Sequence, residues 1–210
     1  MSRDRVVGTA VAFADDHGIE ALSMRRLAQE LGVEAMTLYH YVASKDEILA
    51  GMVDRVVEEM ALPTAGGDWR AELRAAAISA HEVLARHRWA ANLLLSGPGI
   101  SGPRLRWMDA VLGCLRGAGF SADMTDHAYH ALDSHIMGFT LWVVGISVGV
   151  EKAGPLDELL ARVDLGGMPH LAEHIEQHMR KADAEPSEFE FGLDLILGGL
   201  ERILLSEREP

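Results

Sequence analysis

The sequence predicts an all-α protein. Three observations carry this: apolar residues recur at three- and four-residue spacing along most of its 210 residues, no segment keeps up the two-residue alternation of a half-buried strand, and the apolar stripes begin and end at capping residues, glycines and prolines. No internal repeat or low-complexity tract departs from that pattern. The run Pro63 to Gly67 (PTAGG) divides the chain into a small N-terminal head, residues 1–62, and a larger helical body, residues 63–210.

Arg3 to His17 reads as the first helix, with Val7, Ala10, Val11 and Ala14 inward and Gly18 as its stop. Ser23 is a good N-cap for the next, whose stripe is Met24, Leu27, Ala28 and Leu31. Gly32 ends it because a residue without Cβ takes the left-handed conformation that a helix C-terminus favours, and Val33 plugs the turn. A second short helix begins near Glu34, anchored by Leu38 and Val42, which leaves Met36, Thr37 and His40 outward and Tyr39 on the flank. Ser44-Lys45-Asp46-Glu47 is a capping box, with Ser44 capping the Glu47 amide and Glu47 reaching back to the Ser44 amide. It opens a helix to about Ala61, with Leu49, Met52, Val53 and Val56 inward, and sets Lys45 beside the outward face.

Helix, glycine turn and helix in this order form a helix-turn-helix, whose second helix can enter a major groove of roughly 12 Å while the first crosses the backbone. Arg25 and Arg26 open that first helix, where free amides and positive charge together favour a phosphate. The run LGVEAMTLYHYVASKDEIL, residues 31–49, resembles the recognition segment of the tetracycline-repressor (TetR) family: a Gly-Val turn, Leu-Tyr, an aromatic or His, an apolar residue and a Lys three positions further on. Here these are Gly32, Val33, Leu38, Tyr39, Tyr41, Val42 and Lys45. The resemblance implies a DNA-facing set of Arg25, Met36, Thr37, Tyr39, His40, Tyr41 and Lys45. Met36 stands where small or polar residues are frequent in the family, so base preference does not transfer.

The net charge of -13 looks wrong for a nucleic-acid binder, yet its distribution removes most of the conflict. Gly154 to Pro210 holds 13 acidic and 5 basic residues, whereas Ala21 to Lys45 holds three basic and two acidic. Arg3 and Arg5 add positive charge near the N-terminus. A lone Cys114 forms no intramolecular disulfide, and the first residues lack an apolar signal segment, so a cytoplasmic setting is expected.

In the body, helices are expected over Trp69 to about His87, near Asn92 to Leu95, Pro103 to Leu115, Ala122 to about Val150, Pro169 to Lys181 and Ser187 to Leu205. The last carries Phe189, Leu193, Ile196, Leu200 and Ile203 at spacings of 4, 3, 4 and 3 behind a second capping box, Ser187 and Glu190. The long helix repeats the pattern with Ile136, Phe139, Val143, Ile146 and Val150. From Ser134 to Val150 it has no charged residue, a 17-residue run short of the ~20 needed to span a bilayer, so it is expected to be buried rather than membrane-spanning. Pairing both helices with their copies gives a homodimeric four-helix bundle on a two-fold axis, with Ile136, Val143, Ile146, Leu193, Ile196, Leu200 and Ile203 at the interface. The resemblance implies the same, since TetR-family proteins dimerise through their last long helices.

Large apolar side chains concentrate in the central helices, as a pocket lining or as plain core: Trp89, Trp107, Met108, Phe120, Met137, Phe139 and Trp142, with His135 among them. Trp89, Trp107, Met108, His135, Phe139 and Trp142 are the candidate ligand contacts, and the resemblance implies a small, largely apolar effector. No cofactor is expected. The reading is therefore a homodimeric, ligand-responsive repressor binding palindromic double-stranded operator DNA. Its rival is a helical hydrolase. Gly145-Ile146-Ser147-Val148-Gly149 matches a nucleophile elbow but lacks the preceding strand, and His170, His174 and His178 share a helix face with metal-ligand spacing but no carboxylate in frame. Gly97 to Gly102 matches a dinucleotide fingerprint, again without its strand.

Overall fold

The structure, a computed structural model, describes residues 1–96, 101–153, 158, 165–180 and 187–206, without the side chains of 146–153 and 178–180. Among the described residues there are helices and no strand. In the head, α1 (Arg3–His17) starts at Ser2, whose hydroxyl accepts from the Arg5 amide at 3.2 Å, and stops at Gly18 with φ +80°. A 3-10 turn, Ile19–Ala21, leads to α2 (Met24–Leu31), where the Ser23 hydroxyl accepts from the Arg26 amide at 3.3 Å and Gly32 closes the helix at φ +67°. α3 (Ala35–Leu38) is a single turn, and α4 (Lys45–Glu58) follows the Ser44 cap.

The body contains α5 (Trp69–Arg86), capped by Asp68, then α6 (Ala90–Ser96), α7 (Gly102–Ala118), α8 (Ala122–Ala153), α9 (Pro169–Arg180) and α10 (Glu188–Ser206). α5 and α8 lie together at its centre, α7 and α10 pack against both, and α4 runs between α1 in the head and α6 and α7 in the body. One hydrophobic core is continuous from Val6, Leu38 and Met52 in the head to Leu84, Leu115 and Leu197 in the body. Ion pairs tie the same joints from outside: Arg55 to Asp4 within the head, Arg86 to Glu59 and Arg106 to Glu58 between α4 and the body, and Arg74 to Glu190 and Asp194 between α5 and α10. Each exposed pair adds little by itself, so burial supplies most of the stability.

Two sequence expectations are corrected. Glu47 Oε2 accepts from the Ala43 amide at 2.7 Å rather than from Ser44, because its other oxygen is drawn to Arg3 Nε at 3.0 Å. The buried stripe of α4 is Ile48, Met52, Val56 and Val57, with Leu49 and Val53 only half-buried, because α4 is flanked by the head on one side and the body on the other. The residues assigned to the interface fall in different places within the subunit. Ile136, Leu193 and Leu200 are buried inside a single subunit, Leu193 at 0% exposure, because α8, α10 and α5 use that 4-3 stripe to pack on each other. Ile196 and Val143 are half-buried, Ile203 is exposed, and the Ile146 side chain lies outside the described residues. The large apolar side chains that α10 leaves most exposed are Phe191, Leu195 and Leu205, with Leu195 at 62% exposure.

Candidate functional site

The head is built so that two anchors hold a short outward segment. Leu38 and Val42 are buried, and the chain from Thr37 to Val42 is wound tightly by the Tyr41 and Val42 amides, which donate to the Leu38 carbonyl at 2.8 and 3.0 Å. That winding throws the intervening side chains outward. Met36 is 74% exposed, Tyr39, His40 and Lys45 are exposed, and Thr37 and Tyr41 are half-buried, Tyr41 resting on the core. Arg25 and Arg26 are exposed in the first turn of α2. Glu47 braces the segment from behind: the Ala43 amide first, and then the Arg3 guanidinium, hold its carboxyl below the usual carboxylate range. An exposed, mostly uncharged rim of hydroxyl, imidazole and thioether groups flanked by Lys45 and Arg25 can read base edges while cations rest on phosphates.

In the body a cavity of about 30 Å³ opens between α4, α5, α6, α7 and α8. Val57 and Met60, at the C-terminal end of α4 and just after it, form one wall; Leu84, Leu94, Trp107, Met108, Ile136 and Met137 form most of the rest. The polar groups in the lining are Arg104, Tyr129 and Asp133. Burial, and then the neighbouring Asp133, push the Tyr129 hydroxyl up to about 12, and burial raises the Asp133 carboxyl against the opposing pull of Arg104 and His130. Of the ligand contacts expected from sequence, Trp107 and Met108 line this cavity, as does Met137. The others do not. Trp89 donates its indole N–H to Asp15 Oδ1 at 2.7 Å, joining the body to α1. His135 and Phe139 belong to an aromatic stack with His81 and Phe189, in which His135 Nε2–H donates to the Phe189 carbonyl at 2.9 Å, and Trp142 is half exposed at its edge. Spacing alone does not single out Arg104, Tyr129 and Asp133, although Tyr129, Leu132, Asp133, Ile136 and Met137 share one helical stripe, a pattern that places two polar groups inside.

The features of the rival reading fare otherwise. α8 is continuous helix from Ala122 to Ala153, so Gly145–Gly149 follows no strand, and the Ser147 side chain lies outside the described residues. His170 and His174 are exposed on α9, the side chain of His178 lies outside the described residues, and no group of three metal-ligating side chains occurs among the described residues. Gly97–Ile100 also lies outside them. No described helix is long and apolar enough to cross a membrane.

Two family descriptions match the chain on either side of residues 53–61: "Bacterial regulatory proteins, tetR family" over residues 7–52 and "Tetracyclin repressor-like, C-terminal domain" over residues 62–204. The chain belongs to the TetR family of transcriptional regulators. Among its TetR-family relatives is the HTH-type transcriptional repressor DrrR1 of Streptomyces coeruleorubidus, 33% identical across 99% of this chain and 80% of that protein. A possible TetR-family regulator of Streptomyces coelicolor A3(2) superposes with a TM-score of 0.80 at 32% identity, covering 96% of this chain and all of the other. The Streptomyces coelicolor TetR-family protein ActR, solved in complex with actinorhodin, superposes with a TM-score of 0.75 at 26% identity over 96% of this chain and 95% of ActR.

Proposed function

We propose that this TetR-family chain is a cytoplasmic, homodimeric repressor that leaves a palindromic operator when a small, largely apolar effector enters its body, and that residues 1–62 bind DNA while 63–210 bind the effector and the second subunit. The observation that carries the reading is α4. Its Ile48 and Met52 sit in the core of the head, while its Val57, with Met60 just beyond its end, forms a wall of the body cavity. A molecule that enlarges the cavity displaces the same helix that supports the DNA-facing segment. The relative ActR, solved with actinorhodin, supports a body that holds a small molecule, and DrrR1, an HTH-type repressor, supports repression.

Met36, Thr37, Tyr39, His40 and Tyr41 would meet base edges and sugar, with Arg25 and Lys45 on phosphate. A dimer sets two such segments about 34 to 36 Å apart, one DNA turn. Its interface forms on the outward faces of α10 and α8, where Phe191, Leu195, Ile203 and Leu205 are exposed, with Val143 and Ile196 at the rim. A cavity of about 30 Å³ is far below the ~300 Å³ at which ligand pockets begin. An effector therefore binds only by moving walls, and its preference for the widened state, typically about 1 to 3 kcal/mol, is what moves the heads.

Selecting bound fragments from random duplexes, then measuring gel retardation of the recovered site, tests the reading. A two-fold symmetric site with half-sites about one turn apart, released by a compound that also raises the melting temperature of the protein, is the expected result. Absence of any retarded duplex at low salt overturns it.

A further inference from the structure

We propose that the body cavity chooses its ligand by a hydrogen-bond acceptor: the effector is an uncharged, largely apolar ring compound with a carbonyl or ether oxygen that takes the buried indole N–H of Trp107. This deepens the reading of the body as an effector-binding domain and rests on it. Trp107 lines the cavity at 7% exposure, and its Nε1 is buried with no hydrogen-bond partner. A buried indole N–H usually finds an acceptor, and leaving it bare forfeits its hydration for nothing. The contrast within the same protein is direct, since the equally buried Trp89 gives its N–H to Asp15 at 2.7 Å.

The rest of the lining narrows the chemistry. Arg104 and Asp133 line the same space, but the Arg104 guanidinium already donates to the Leu94 carbonyl at 2.6 Å and pulls on the Asp133 carboxyl, so neither group is left free to draw in an opposite charge. Tyr129 remains a protonated hydroxyl, a further donor for an oxygen on the ligand. Met60, Met108 and Met137 make up much of the apolar wall, and unbranched thioether side chains re-form around a rigid ring more readily than branched ones. The room between these side chains admits about one water, and the buried indole N–H is closed off from it, so the ligand oxygen reaches the indole as the methionine walls move apart.

The test uses the full chain labelled with 15N-tryptophan, which has four indole signals, the Trp107 signal being identified by its loss in Trp107→Phe. The probes are 2-acetonaphthone and 2-ethylnaphthalene, alike in shape and differing in the acceptor. The ketone is expected to bind at least tenfold more tightly and to move the Trp107 indole proton downfield, the hydrocarbon to leave it in place, and Trp107→Phe to bring the ketone down to the hydrocarbon's affinity. Equal binding of both probes with an unmoved Trp107 signal overturns the acceptor rule and leaves the effector-binding body standing. Failure of both probes to bind, with no indole signal moved, overturns the two together. The wild-type spectra decide between these outcomes even if Trp107→Phe does not fold.

Discussion

Removing the Asp15 carboxylate should loosen the head from the body. Asp15, near the end of α1, accepts from His87 Nδ1 at 2.8 Å and from Trp89 Nε1 at 2.7 Å. His87 and Trp89 are each 5% exposed, so neither donor finds water when the acceptor goes. A hydrogen bond to a charged group contributes about 1.5 to 3 kcal/mol, and because the Asp15 side chain is 27% exposed the lower end applies to each. The sum is about 3 kcal/mol for Asp15→Ala. An unfolding entropy of ~2.1 cal/mol/K per residue, over a chain of this length, converts that into a melting point roughly 7 °C lower. Asp15→Asn keeps an acceptor for one donor and should lose about half as much. Circular dichroism melts at one fixed subunit concentration measure it, since dimerisation itself raises the apparent stability. An Asp15→Ala protein melting within about 1 °C of wild type would show that these contacts do not hold the joint.

On the DNA side, Lys45→Ala should weaken operator binding for all sequences and reduce the slope of log K against log salt by about 1, whereas Thr37→Ala and His40→Ala should change which bases are preferred; identical effects of all three in salt-titrated binding assays would contradict the assignment. For assembly, Leu195→Arg and Phe191→Glu should give folded monomers by sedimentation, while Leu200→Arg, whose side chain is buried within its own subunit, should unfold the subunit; folded Leu200→Arg monomers would restore the original stripe to the interface. Burial, reinforced by His135, holds the His81 imidazole below its ordinary value of 6.5. The unfolded chain therefore binds a proton there that the fold refuses, and stability falls as pH drops below about 6.5. His81→Phe, which keeps the stack on Phe189, should lose less stability than wild type in urea unfolding between pH 7.5 and 5.5; equal losses refute the attribution.

The head was legible because its decisive interactions are local. Ser23, Gly32 and Ser44 act within four residues of themselves, and the structure places α2 and α4 where those caps require. The body was legible as helices but not as faces. α10 is apolar around most of its circumference, so spacing identifies a stripe through Leu193 and Leu200 without saying whether it meets α8 of its own subunit or a second copy. Only packing separates Leu193 from Leu195, two residues away and exposed. Long-range polar contacts left still less trace: Asp15 and Trp89 are 74 positions apart, and nothing near either residue announces the other. Trp107 and Met108 were found as bulky residues in a central helix, whereas Arg104, Tyr129 and Asp133 acquire their meaning from side chains on other helices.

The near-filled chamber has a consequence for sensitivity. An incoming molecule competes with methionines and aliphatic groups already occupying its place, so the dose at which transcription responds is governed by how readily those groups withdraw as well as by what the molecule touches. Trimming Met60 or Met108 would lower that threshold, and thickening Ala80 would raise it, all without altering a single residue that faces the double helix.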